Sequence, residues 1–345
     1  MSRLKEKLEA GGVYYIAEMS ANHANSLDIA LAIVDAAAAA GADCLKVQTY
    51  TADSITLDCN KEHFLINGGL WDGQRLYDLY SDASFPYDWH EPVRDRCLEK
   101  GIDFLSAPFD NNAVDFLLDL GIDAFKIASF ELVDIPLIEY AASKGKTMIM
   151  STGMASLEEM REAIEACRRM GNDDVVLLRC CSEYPADPAD MNLASIPDMA
   201  DKLGVPIGFS DHSEGHAADV VAVTLGAKVI EKHICLSPTI ETADSQFSMT
   251  PEGFADMVRA VDAAVSAVGK PCYVPSAKER ANTVFRRSLF ASAEIKAGDV
   301  FTPENIRIVR PGYGAKPKYY NELIGAVADR DYAFGDPIVY ESEVK

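Results

Sequence analysis

Two stretches, Ile207-Gly-Phe-Ser-Asp-His212 and Val229-Ile-Glu-Lys-His233, decide how this chain is read. Each is a short apolar run that follows a glycine-closed helical pattern and ends in a histidine, which reads as a buried strand leaving the core. Six runs of the same make precede them, at 13–19, 44–50, 103–109, 124–130, 147–152 and 175–182. Most are introduced by a glycine, as in Gly-Ala-Asp or Gly-Ile-Asp, that can stop the preceding helix. Amphipathic stretches such as 27–40, 158–170 and 217–225 lie between the runs and are long enough to cross back over a parallel sheet. Eight units in about 270 residues predict an α/β fold of the closed (β/α)8 TIM-barrel type. A doubly wound open sheet, which also alternates strand and helix, is the competitor.

In a closed barrel the last two strands are neighbours, so His212 and His233 are expected to converge on one divalent cation and leave most of its coordination positions open. Glu231 lies two residues before His233 and so shares its face of the strand. Asp211 and Glu231 are read as carboxylates that orient the two histidines. His23, His63, His90 and His216, each taken alone, read as ordinary core or surface residues.

Barrel enzymes build their sites at the C-terminal strand ends. Here those ends carry Glu18, then Lys46 and Gln48, then Lys126, Ser129 and Glu131, then Ser151, then Arg179, Ser182, Glu183 and Tyr184, and finally Ser210. A lysine inside an apolar strand is costly unless paired, so Lys46 and Lys126 need a reason. A Schiff base, a structural ion pair and an anion site are the three readings. Arg179 and several serines beside two lysines favour a site for phosphate.

The chain has 345 residues and a formal charge of −22, which argues against nucleic acid and anionic membranes as partners. An anionic substrate would require a local positive field at the barrel mouth. No apolar run approaches membrane-spanning length. Eight cysteines without a C-x-x-C pair, and no recognisable secretory leader, lead us to expect a cytoplasmic protein. The stretch 269–276, with two prolines, marks a boundary. We expect a barrel over 1–270, a linker over 271–284 and a small β-rich module over 285–345.

Several passages together resemble the sialic acid synthase family along essentially the whole chain. They are Ile16-Ala-Glu-Met-Ser-Ala-Asn-His23, Gly41-Ala-Asp-Cys-Leu-Lys-Val-Gln-Thr-Tyr-Thr51, Gly68-Gly-Leu-Trp-Asp72, Leu76-Tyr-Asp-Leu-Tyr80 and Phe125-Lys-Ile-Ala-Ser-Phe-Glu131. Ser210-Asp-His-Ser213, Glu231-Lys-His233, Asp244-Ser-Gln-Phe-Ser248 and Arg310-Pro-Gly312 complete the set. The resemblance implies a TIM barrel followed by an antiparallel, antifreeze-like SAF (β-clip) domain. It also implies condensation of phosphoenolpyruvate with the open-chain aldehyde of an N-acetylated hexose. Lys46, Lys126, Ser129, Ser151, Ser182 and Ser210 would then bind phosphoenolpyruvate. Gln48, Glu131, Tyr184 and Asp244 would bind the sugar, and Glu18 and Glu231 would move protons or position water. The cation on His212 and His233 would be Mn2+, Mg2+ or Co2+.

The motifs Gly68–Asp72 and Asp244–Ser248 point to the branch whose sugar is a 2,4-diacetamido-2,4,6-trideoxy hexose of the altrose type. Phe247, Trp71 or Tyr77 would meet its 6-deoxy carbon. The family also implies a domain-swapped homodimer in which Arg310 reaches the partner's sugar. Other readings are a synthase for a neuraminic or legionaminic sugar, a metal-dependent aldolase, and a carbohydrate-binding module on an inactive barrel.

Overall fold

The strand runs close on themselves. In a computed structural model that describes residues 3–68 and 71–340, eight parallel strands form a closed barrel in chain order. They are β1 (Tyr14–Glu18), β2 (Cys44–Thr49), β3 (Asp103–Pro108), β4 (Ala124–Ile127), β5 (Thr147–Ser151), β6 (Val175–Cys180), β7 (Ile207–Asp211) and β8 (Val229–His233). The last strand closes on the first, with Tyr14 opposite Val229 and Glu18 opposite His233. The open-sheet alternative is thereby excluded. Gly69 and Leu70 of the Gly68–Asp72 motif lie outside the described residues.

The helices between strands start and stop where local chemistry directs. Ser26 accepts a hydrogen bond from the Ile29 amide to begin the helix Leu27–Ala39, and Asp110 caps Asn111–Asp119 through the Ala113 amide. Ser156 and Glu159 form a reciprocal capping box at the start of Leu157–Arg169. Gly101, at φ 72°, ends the helix His90–Lys100 in a left-handed conformation that a side chain would strain.

Two apolar layers hold the barrel. Outward-facing strand residues such as Tyr15, Leu45, Phe125, Leu177 and Ile230 pack under the helices, while Tyr14, Ile16, Cys44, Leu105, Ile149, Val176, Leu178 and Val229 fill the interior. Burying each larger side chain contributes about 1.5–3 kcal/mol. The interior column alternates with period two and can be followed towards the strand ends. From Tyr14 and Ile16 it leads to Glu18, from Cys44 to Lys46 and Gln48, and from Val229 to Glu231 and His233. Gly208 belongs to the same column. A Cβ there would lie 2.5 Å from Leu178 and 2.6 Å from the Val229 carbonyl, so only glycine fits.

The strands are shorter than the sequence runs. β4 stops at Ile127 and β6 at Cys180, so Ser129 and Glu131 sit on a 3-10 turn (Ser129–Glu131), and Ser182 and Tyr184 on a loop. Met1–Gly269 is one compact unit and Lys270–Lys345 a second. In the second, β9 (Ser288–Ala291) and β10 (Ile306–Val309) pair antiparallel over a core that includes Leu289, Ile295, Phe301 and Ile338. The stretch before it carries a short helix, Ala277–Ala281, begun by a Ser276/Glu279 capping box.

Candidate active site

Four buried charges alternate across the C-terminal end of the barrel. Glu18 Oε2 lies 2.9 Å from Lys46 Nζ, Lys46 Nζ lies 3.7 Å from Glu231 Oε1, and Lys126 Nζ donates to Glu231 Oε1 at 3.0 Å. Ser210 Oγ donates to the same Glu231 oxygen at 3.1 Å, and Gln48 Nε2 donates to Glu18 Oε1 at 2.9 Å. The four charged residues come from four different strands, and Gln48 shares β2 with Lys46. The shared interior parity turns all of them inward.

Their ionisation follows from position. Burial would raise the Glu231 carboxyl, but Lys126 and Lys46 overcome it and bring it down to about 2. At Glu18 burial prevails over Lys46 and lifts the carboxyl above its usual range. Burial lowers Lys126, with Glu231 opposing. Burial also disfavours the Lys46 ammonium, yet Glu18 and Glu231 hold it above its ordinary value. For the Glu18–Lys46 pair we take the charged form, since the ammonium and carboxylate lie 2.9 Å apart and neutralising either one would forfeit their attraction, although Glu18 Oε2 makes no aligned hydrogen bond.

Buried polar atoms without partners border this chain of charges. Among the described residues, Ser151 Oγ, Glu231 Oε2 and His233 Nδ1 have no hydrogen-bond partner, although Ser151 is 2% exposed. Buried polar groups are rarely left so, and a cluster of them marks a place for a ligand. Ser129 Oγ accepts from the Gly153 amide at 3.1 Å, and a Cβ on Gly153 would lie 2.0 Å from Ser182 Oγ and 2.8 Å from Ser129 Oγ. Ser129, Gly153 and Ser182 therefore share one small cradle.

The two histidines meet beside it, with ring centroids 5.4 Å apart. The Nδ1 of His212 bonds the Cys181 carbonyl at 2.9 Å, which leaves Nε2 for another partner. Burial, reinforced by His212 and Lys46, keeps His233 neutral, with a lone pair on a nitrogen that has no partner. Burial would lower His212, but Cys180 and the Cys181 carbonyl raise it, so His212 would have to give up its proton to join neutral His233 in holding a divalent cation. Among the described residues no third side chain of the usual ligand types completes a cage, so most positions around such an ion would be open.

Aromatic rings wall the histidines. Tyr184 stacks on His212 at 4.3 Å, Phe247 contacts His233 and Tyr184 at 5.1 Å each, and Trp71 reaches Tyr184 at 6.2 Å. Tyr77 is directed instead to Asp53. Glu131, with Oε2 unpartnered, has its carboxyl raised to about 7 by burial. Asp244 Oδ2 accepts from the Ala21 amide at 3.1 Å, tying the loop after β8 to the exit of β1.

Some expectations need correction. Arg179 lies off the Leu178/Cys180 column, and its guanidinium is spent on the carbonyls of Met191 and Cys180, so it contributes nothing to an anion site. Asp211 and Glu231 do not bond the histidines; Asp211 bonds Lys232 and Ser213, and Glu231 bonds Lys126 and Ser210. As expected for single histidines, His90 is a core residue against Thr49, and His23 packs edge-on to Phe85 and Trp89. Arg310 is exposed just after β10, in the second unit. Gly153 and Lys232 were not singled out in the sequence, although Gly153 follows Ser151 closely and Lys232 stands between two named residues.

Comparison with known proteins fits this geometry. Residues 33–273 match the NeuB family and residues 286–342 the SAF domain. The pseudaminic acid synthase of Campylobacter jejuni subsp. jejuni serotype O:23/36 (strain 81-176) is 46% identical over 326 residues, which cover 94% of this chain and 95% of that protein. The pseudaminic acid synthase of Helicobacter pylori (strain ATCC 700392 / 26695) is 40% identical over 325 residues, with 94% and 95% covered. A crystal structure of an N-acetylneuraminic acid (sialic acid) synthetase from Leptospira borgpetersenii serovar Hardjo-bovis, in complex with citrate, is similar at a TM-score of 0.70. It is 32% identical and the match covers 78% of this chain and 90% of that one.

Proposed function

This chain belongs to the NeuB family, and on that premise we propose that it condenses phosphoenolpyruvate with 2,4-diacetamido-2,4,6-trideoxy-L-altrose to give pseudaminic acid and inorganic phosphate. The observation that carries the reading is the convergence of Lys46, Lys126 and the unpartnered Ser151 hydroxyl beside two neutralisable histidines at the barrel's C-terminal end.

Phosphoenolpyruvate presents a phosphate and a carboxylate. Lys46 and Lys126 supply charge for them, and the hydroxyls of Ser129, Ser151, Ser182 and Ser210 supply directed donors. The C3 carbon attacks the sugar aldehyde, water adds at C2, and the resulting tetrahedral centre releases phosphate by breaking its C–O bond. Glu18, ionised beside Lys46 but with its proton affinity raised by burial, takes the proton that the attacking water releases and passes it to the new alkoxide. Glu231, near 2, is too weak a base for that work and holds the attacking water through its unpartnered oxygen. Gln48, Glu131, Tyr184 and Asp244 bind the sugar's hydroxyl and acetamido groups, and Phe247 and Trp71 bound the side where a 6-hydroxyl would stand. A Mn2+, Mg2+ or Co2+ ion held by His212 and His233 would act as a Lewis acid towards the aldehyde oxygen.

The module 285–345 is read as the cap of a partner's barrel in a domain-swapped homodimer, bringing Arg310 to the sugar. The enzyme is read as cytoplasmic, which suits eight cysteines that are all unpaired. No helix among the described residues is long and apolar enough to cross a membrane.

Phosphate release from phosphoenolpyruvate with manganese, run in parallel with the altrose-type sugar, its legionaminic counterpart and N-acetylmannosamine, tests the reading. Release with the first alone, abolished by a chelator, is expected. Release with another sugar moves the substrate, and none with any sugar overturns the synthase reading.

A further inference from the structure

Lys232 faces away from the site, yet everything it touches belongs to the segments that carry the histidines. It lies off the Glu231/His233 column, so its side chain enters the layer between sheet and helices, where it is 1% exposed. An ammonium buried there costs several kcal/mol unless fully satisfied. Its three donors find three acceptors: the Asp211 carboxylate, the Ser213 carbonyl at 2.7 Å and the Gly215 carbonyl at 2.8 Å. The Asp219 carboxyl stands further off, at 3.9 Å.

Those three acceptors bracket His212. Asp211 precedes it and is the register partner of Lys232 across β7 and β8, while Ser213 and Gly215 follow it. Asp211 also accepts from the Ser213 amide at 2.8 Å and its hydroxyl at 3.0 Å, winding the turn around the ammonium. His233 is the next residue after Lys232. One buried cation therefore grips the backbone on both sides of His212 from the position adjoining His233.

We propose that Lys232 is a positioning residue that sets the spacing of His212 and His233, and through it the affinity of the divalent cation. The inference rests on the reading of those histidines as the cation site.

The test is calorimetric titration of the full-length protein with Mn2+, and separately with phosphoenolpyruvate in the absence of metal. Lys232→Met alone strands the Asp211 carboxylate and is at risk of not folding, so the decisive variant is K232M/D211N, which removes both charges together. D211N, which keeps the ammonium on both carbonyls and leaves Asp219 at 3.9 Å as its remaining carboxylate, is the companion. We expect K232M/D211N to bind Mn2+ about 10- to 100-fold more weakly, the range for loss of groups that orient metal ligands, and D211N to fall between it and wild type. Metal-free phosphoenolpyruvate affinity stays at the wild-type value in both, which a general loosening of the barrel would not allow. Wild-type Mn2+ affinity in K232M/D211N, with binding lost in H212A/H233A, would overturn this inference alone. Unchanged Mn2+ binding in H212A/H233A would overturn the histidine site and this inference with it.

Discussion

Replacing Lys126 by methionine tests whether the buried lysines bind substrate or merely balance buried glutamates. The ammonium is 2% exposed and donates to Glu231 Oε1 at 3.0 Å. Without it Glu231 keeps Ser210 at 3.1 Å and Lys46 at 3.7 Å, so its carboxylate is not abandoned. The stability loss should therefore fall short of the roughly 3–5 kcal/mol that follows when a buried pair is broken outright. Substrate binding loses more selectively. A hydrogen bond to a charged group is worth about 1.5–3 kcal/mol, and each 1.4 kcal/mol is tenfold in affinity, so phosphoenolpyruvate should bind roughly 10- to 150-fold more weakly. Calorimetric titration of phosphoenolpyruvate, with thermal unfolding recorded on the same preparation, reads both effects. Affinity within about twofold of wild type would show that Lys126 is only a structural partner of Glu231 and would refute the anion site.

Three further outcomes follow from the geometry. Gly153→Ala puts a Cβ 2.0 Å from Ser182 Oγ and 2.8 Å from Ser129 Oγ, and should raise the KM for phosphoenolpyruvate about tenfold or more while costing about 1–3 kcal/mol in unfolding; an unchanged KM would remove both serines from the site. Glu131, held at about 7 by burial against an ordinary 4.5, keeps its proton in the folded chain over a window where the unfolded chain has released it. Its contribution to stability thus falls as pH rises from 4.5 to about 7, and E131Q should gain on wild type in thermal unfolding between about pH 5 and about pH 8; parallel profiles would contradict the burial argument. A chain ending at Pro275 should keep a cooperative barrel unfolding transition and lose phosphate release, and full turnover of that chain would dismiss the capping role of the C-terminal module.

The barrel was legible because its strands are buried on both faces and so read as continuous apolar runs between glycine-stopped helices. Strand parity carried most of the site as well: Glu18, Lys46, Gln48, Lys126, Ser151, Ser210, Glu231 and His233 each extend the interior column, and they lie together for that reason. Arg179 misled because a charged residue at a strand end was counted by type, whereas its offset from Leu178 and Cys180 turns it outward to backbone carbonyls. Lys232 is hidden in the sequence for the converse reason. Its outward parity hides it from the site, and only the fold shows that the turn after His212 wraps around it. The orientation of Asp211 could not be read either, since its partner is chosen by register across β7 and β8 rather than by distance along the chain.

In the proposed condensation, water attacks phosphoenolpyruvate at C2 and phosphate leaves by C–O cleavage. Phosphoenolpyruvate labelled with 18O in the bridging oxygen, turned over with the altrose-type sugar, tests it by mass spectrometry of both products. The label should leave with inorganic phosphate. Label retained at C2 of the nine-carbon acid would mean cleavage of the P–O bond and would contradict it.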